Sequence, residues 1–148
     1  MKSKEAANIM DIMPLLETNV GDRRFRETKK IVLVGSCVIN RTDLFLESFK
    51  NQPWVSICLE AVHVNHAGFK LAQMIQYSKI QEITVLTVDG SPHCIQAHFL
   101  AEDIKTRFVS NLEVKHFVLE KANISQVSSK AVKLARHLSK VEKIIQHQ

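Results

Sequence analysis

Four runs rich in β-branched residues recur along the chain: "KKIVLVGSCV", "WVSICLEAV", "EITVLTVDG" and "LEVKHFVLE". The first reads as a buried strand, because a near-continuous apolar run has no polar face to turn to water, and the other three read as strands. Helical periodicity fills the gaps between them. "NRTDLFLESFKNQ" carries Leu44, Phe45 and Phe49 at helical spacing and is closed by Pro53. "NHAGFKLAQMIQYSKI" puts Phe69, Leu71, Ala72, Ile75 and Ile80 on its apolar side. A third helix is predicted from Ser91 to about Phe108 and a closing one from Ser125 to about Ile145. The strands are predicted near residues 31–36, 55–60, 82–88 and 113–119. Strands alternating with helices build βαβ units, hence a parallel sheet covered on both faces. The expected fold is a three-layer α/β domain, Rossmann-like or flavodoxin-like, with about four strands in the order 2-1-3-4.

A chain of 148 residues is long enough to bury one such core, and no repeat or interdomain linker divides it. Residues 29–148 are expected to form the single α/β domain. Residues 1–28 form an N-terminal arm, a short helical stretch broken by Pro14 followed by the charged run "GDRRFRETKK", which packs on the domain or on a second subunit. No apolar run approaches the roughly 20 residues that span a bilayer, so no membrane partner is expected. Glu5, Asp11 and Glu17 interrupt the apolar positions of the N-terminus, which excludes a secretory signal. Three scattered cysteines, Cys37, Cys58 and Cys94, make no disulfide framework and point to a reducing, cytoplasmic location. The net charge of +5 is mild and suits a small anionic ligand.

In open α/β sheets the ligand lies beyond the carboxyl ends of the strands, where strand order reverses. In the expected order that place falls between the first and third strands. Gly35, Ser36 and Cys37 follow the first, and "DGSPHC" follows the third. Asp89-Gly90 ends the strand in a tight turn, Ser91 is placed to cap a helix, and Pro92 suits the first helical position. His93 borders the same corner, and Cys94 falls at the third helical position, where the positive end of the helix dipole favours a thiolate. His98 lies one turn further along that face. Cys37, Cys94 and His98 are therefore the candidate metal ligands. The candidate ligand-binding set is Gly35, Ser36, Cys37, Asp89, Gly90, Ser91, His93 and Cys94, with the backbone N–H groups of Ser91–Cys94 able to receive an anion. The plainer reading of this corner is a capped turn with a buried sulfur. Cys58, between Ile57 and Leu59, reads as a buried apolar residue inside the second strand. His63 and His66 border the same rim, with Asn65 as the expected cap of the second helix.

Several chemistries are excluded. "HCIQAHFL" lacks the arginine a cysteine phosphatase loop needs, and no GxSxG elbow or GxxxxGK[ST] loop occurs. Glu60 ends the second strand where a ribose hydroxyl would be bonded, but "VGSCVIN" has one of the three glycines of a dinucleotide fingerprint. No catalytic residues are assigned. In the last helix Ala131, Leu134, Leu138, Val141 and Ile145 form an apolar stripe beside the basic Lys133, Arg136, Lys140 and Lys143. With few aromatics nearby this is read as a solvated face, not a nucleic-acid surface.

The segment from the first strand to the third helix resembles the small α/β iron–sulfur subunits that accompany hydrogenases and heterodisulfide reductases. "LVGSC" resembles their first cysteine-bearing turn, at Cys37, and "ITVLTVDGSPHC" their corner rich in Gly, Pro, His and Cys, with His93 and Cys94 in comparable places. The resemblance covers about half of the chain. It implies a redox-associated accessory domain linked to iron–sulfur or other metal chemistry, with a redox protein or a second copy as partner. The family supplies four cysteines for a cluster where this chain has three. The expected function is thus a redox-associated binding domain with cysteine thiolates at the strand ends. The alternatives are a non-catalytic module for a phosphate-containing ligand at Ser91–Cys94, or a structural subunit.

Overall fold

The structure, a computed structural model, describes residues 12–41, 49 and 51–148. The four apolar runs form strands β2 (Lys30–Gly35), β3 (Trp54–Ile57), β4 (Glu82–Val88) and β5 (Glu113–Glu120). They pair in parallel, β3 with β2, β2 with β4 and β4 with β5. Among the described residues the sheet has six strands instead of four: β1 (Met13–Pro14) and β6 (Asn123–Val127) flank the expected 2-1-3-4 core, giving the order β1-β3-β2-β4-β5-β6. Both additions are edges. β1 (Met13–Pro14) pairs in parallel with β3, Met13 opposite Val55. A proline has no N–H for the ladder and is tolerated at an edge, so so short a strand leaves no periodic signal. β6 (Asn123–Val127) runs antiparallel to β5, reached by a two-residue turn at Lys121, whose φ is 54°. Its "NISQV" has only two apolar residues, too few to announce a strand.

Both faces are covered, and successive strand residues feed them in turn. On one face Ile31, Leu33, Ile83 and Val85 pack against Leu71, Met74 and Ile75 of α3 (Val64–Ser78) and Ala97, Ala101 and Ile104 of α4 (Cys94–Arg107). Leu15, in a 3-10 turn after β1, and Phe25 of α1 (Arg23–Thr28) are buried in the same cluster. Residues ahead of the first predicted strand therefore build part of this core. On the other face Val32, Val34, Trp54 and Leu86 meet Val38 of α2 (Ser36–Ile39) and Phe49. The Phe49 ring stands edge-on to Phe117, centroids 5.0 Å apart. Leu44 and Phe45 lie outside the described residues.

The closing helix differs most from expectation. β6 takes up residues 123–127, and two helices follow, α5 (Ser129–Ala135) and α6 (Leu138–Gln146). Ser128 caps α5, its hydroxyl accepting the Ala131 N–H at 3.1 Å. The chain turns at Arg136-His137, so the apolar stripe is not continuous, and Leu138 is 79% exposed. β3 also ends sooner than predicted, because the Cys58 carbonyl accepts from the Ala61 and Val62 N–H groups and turns the chain. At the start of α3 it is His63, not Asn65, that caps: its Nδ1 accepts the Asn65 N–H at 3.2 Å.

Candidate functional site

The carboxyl ends of β2, β3 and β4 open on a shared rim, and the loop Asp89–His93 divides it into two hollows. The loop is tied to the sheet by the Asp89 N–H, which donates to the Leu119 carbonyl at 3.0 Å. Gly90 follows with φ 83°, in the left-handed region, and a Cβ there would meet nothing within 4 Å. Glycine is needed for its backbone freedom and not for space. Gly90→Ala is expected to lower stability by about 1 kcal/mol, read from the urea midpoint. An unchanged midpoint would show that the loop relaxes to another conformation.

The corner after β4 forms later in the chain than the sequence suggests. α4 begins at Cys94, with His93 at the cap position, so Cys94 is the first helical residue instead of the third. Ser91 still caps: its hydroxyl accepts the Cys94 N–H at 3.2 Å, and its carbonyl accepts the Ile95 N–H at 3.2 Å. The Gln96 N–H donates to the His93 carbonyl. The turn itself thus takes up the Cys94, Ile95 and Gln96 N–H groups, which an anion at this helix start would need.

The smaller hollow gathers most of the sequence-predicted residues. Gly35, Ser36 and Cys37 from the end of β2 and the start of α2 face Ser91, His93 and Cys94 across about 40 Å³. Cys58 joins them, because β3 ends at Ile57 and leaves Cys58 on the rim, half-buried, instead of inside a strand. All three cysteines therefore border one hollow. Cys37 is exposed, Cys58 and Cys94 are half-buried, and all three are free thiols.

His98 does not join them. It turns inward, 3% exposed, and its Nε2 lies 2.8 Å from Thr87 Oγ1 on β4. Its Nδ1 lies 2.9 Å from Nδ1 of His116 on β5. His116 Nε2 in turn lies 2.7 Å from Glu102 Oε1, one turn beyond His98 on α4. Both ring nitrogens of His98 are engaged, so it has none left for a metal shared with Cys37 and Cys94. Among the described residues no three His, Cys, Asp or Glu side chains are grouped to hold a metal ion. Burial, with the adjacent His116 ring, pulls His98 down to about 4, so it is neutral near pH 7. For Glu102 burial acts upward, but the Ser129 hydroxyl, His116 and Lys133 outweigh it and hold the carboxyl below its ordinary range. Lys133 Nζ, from α5, stands 3.8 Å from Glu102 Oε2.

The larger hollow lies on the other side of the loop. It is a cavity of about 350 Å³ between the ends of β4 and β5, α4 and α5. Val88, Val118, Val127 and Val132 give it apolar walls, the Asp89–Pro92 loop forms its rim, and Thr87 and His98 stand in its lining. Sequence reasoning missed Thr87, Glu102 and His116. A signal was present: Thr87 and His116 are polar residues inside apolar runs, and Glu102 follows His98 at i+4 on one helix face.

Among the described residues no helix is long and apolar enough to cross a membrane. No match is found among curated proteins or among solved structures. A family model for a Rossmann-like domain matches residues 24–148, which takes in α1 except its first residue, all the described strands from β2 onward and both hollows. By that match, and by a mostly parallel sheet with its loops gathered at the carboxyl edge, the chain belongs to the Rossmann-like domain family.

Proposed function

We propose that this domain binds a small, largely apolar molecule in the cavity between β4, β5, α4 and α5. The observation that carries the reading is the cavity itself. Its volume of about 350 Å³ lies within the usual range for ligand sites, and its apolar walls converge on two polar side chains, Thr87 and His98. One of these has a strongly displaced proton affinity, as groups in functional clefts often do. The place also suits the fold, because open α/β sheets bind at their carboxyl edge. A phosphate-containing ligand is less favoured, since the Asp89 carboxylate stands on the rim and the nearby N–H groups are already bonded. Saturation-transfer NMR with a panel of flat heterocycles tests the reading. Signal should appear with the wild type and disappear with Ala131→Trp, which fills the mouth from an exposed position on α5. Signal that persists in the variant would place binding elsewhere.

A second reading is favoured by the three cysteines around the smaller hollow. In it the domain is redox-associated, with Cys94 and Cys37 as reactive thiols, and the likeness to iron–sulfur accessory subunits belongs to this reading. Alkylation rates with each cysteine changed singly to serine test it. Cys94, at the helix start, is expected to react fastest for its exposure, ahead of Cys58. Equal rates for all three would leave the hollow as a meeting of ordinary thiols.

A further inference from the structure

The chain Thr87–His98–His116–Glu102 has a direction, and the direction says what the cavity can recognise. All four side chains are at most 3% exposed, so their hydrogen bonds are made within the protein and not to bulk water. A carboxylate only accepts, so at 2.7 Å the His116 Nε2 must carry the proton and donate to Glu102 Oε1. A neutral imidazole has one N–H, which leaves His116 Nδ1 as an acceptor. Across the 2.9 Å contact His98 Nδ1 must then be the donor. His98 Nε2 is left as an acceptor, and Thr87 Oγ1, 2.8 Å away, must give it the hydroxyl proton. With one proton on each ring, one consistent set of directions remains, and it is anchored at Glu102.

The consequence falls on Thr87. Its only proton is given to His98, so towards the cavity that it lines Thr87 can act only as an acceptor. His98 has no free nitrogen to add. On the cavity reading above, we infer that the site selects largely apolar molecules, not anions, that present an N–H or O–H donor to Thr87 Oγ1. A molecule offering only an acceptor there would face lone pair against lone pair. An anion would lose its hydration among valines and meet the Asp89 carboxylate at the rim.

Indole and benzofuran isolate this term, because they share a shape and differ by an N–H in place of an ether oxygen. Dissociation constants for both are to be measured by NMR titration at pH 8, above the ordinary histidine range. Wild type should bind indole about tenfold more tightly, the size of one buried hydrogen bond against an unmet polar group. Thr87→Val should bring indole to the benzofuran value, and Thr87→Ser, which restores the hydroxyl with less change to the strand, should keep the preference. Equal affinities in the wild type, or a preference for benzofuran, would overturn donor selection while leaving the cavity as a binding site. A preference that survives in Thr87→Val would also overturn it. No binding of either molecule at millimolar concentration would instead remove the cavity reading on which the inference rests.

Discussion

Between pH 6.5 and pH 4 the domain is expected to lose about 3 kcal/mol of stability through His98 alone. In the folded state burial and the His116 ring pull this group down to about 4, whereas the unfolded chain returns it to about 6.5. Between those values the unfolded chain binds a proton that the folded one excludes. Stability therefore rises with pH across the window: the contribution is complete above 6.5 and is lost as pH falls toward 4. Glu102 acts with the same sign at lower pH. Its carboxyl is held below the ordinary value, so its contribution is present above that value and disappears as pH falls through the depressed one. Urea unfolding at a series of pH values checks the slope, and His98→Gln assigns it, because glutamine does not titrate. The variant should be less stable at pH 7 and markedly flatter between pH 6.5 and 4. A slope unchanged by His98→Gln would show that another group is responsible and that His98 is not buried as described.

The interior of the sheet was legible because the physics there is one-sided. A strand covered on both faces takes a near-continuous apolar run, and "IVLV", "WVSI" and "ITVLTV" come close, with one serine and two threonines among their apolar residues. The edges were not legible, for the opposite reason. β1 is two residues long, and β6 alternates polar and apolar residues so weakly that its last three, Ser125–Val127, read as the beginning of a helix. The same error merged β6, α5 and α6 into one element. In that merged helix Leu138 and Ile145 completed an apolar stripe, yet both are exposed, so the pattern was carried by residues that bury nothing.

The location of the site followed from topology, and its chemistry did not. The strand-order rule brought Cys37 and Cys94 to one hollow, with Cys58 added once β3 proved short. His98 was assigned to Cys94 because they lie four residues apart, but Glu102 lies four residues beyond His98 on the same face. A helix stripe that passes from rim to core offers a histidine two neighbours, and burial decided between them. The other partners, Thr87 and His116, come from strands remote in sequence, and only the parallel pairing of β4 with β5 sets them beside α4. What could be read in advance was narrower: a histidine inside "EVKHFVLE" is polar among apolar residues and must find a partner if that strand is buried.

Glu102→Ala is expected to cost about 3 kcal/mol, because it strips the only anion from a buried relay. His116 Nε2 would be left with its N–H facing apolar surroundings, and the directions of the two bonds beyond it would lose their anchor. Two variants separate this cause from mere loss of volume. Glu102→Gln keeps an amide oxygen as acceptor for His116 and should cost about 1–2 kcal/mol, the difference between a charge-assisted bond and a neutral one. Lys133→Ala should cost under about 1 kcal/mol, since the lysine is half exposed and its pairing to Glu102 is screened by water. Urea midpoints at pH 7.5 with unchanged m-values give all three. The expected ranking follows from where each group stands: the amine can return to solvent, the amide can still accept, and the alanine can do neither. If Glu102→Ala lay within 1 kcal/mol of the wild type, water would have to enter and serve His116 in place of the carboxylate. The relay could then no longer fix the Thr87 proton, because a water accepts or donates with equal ease.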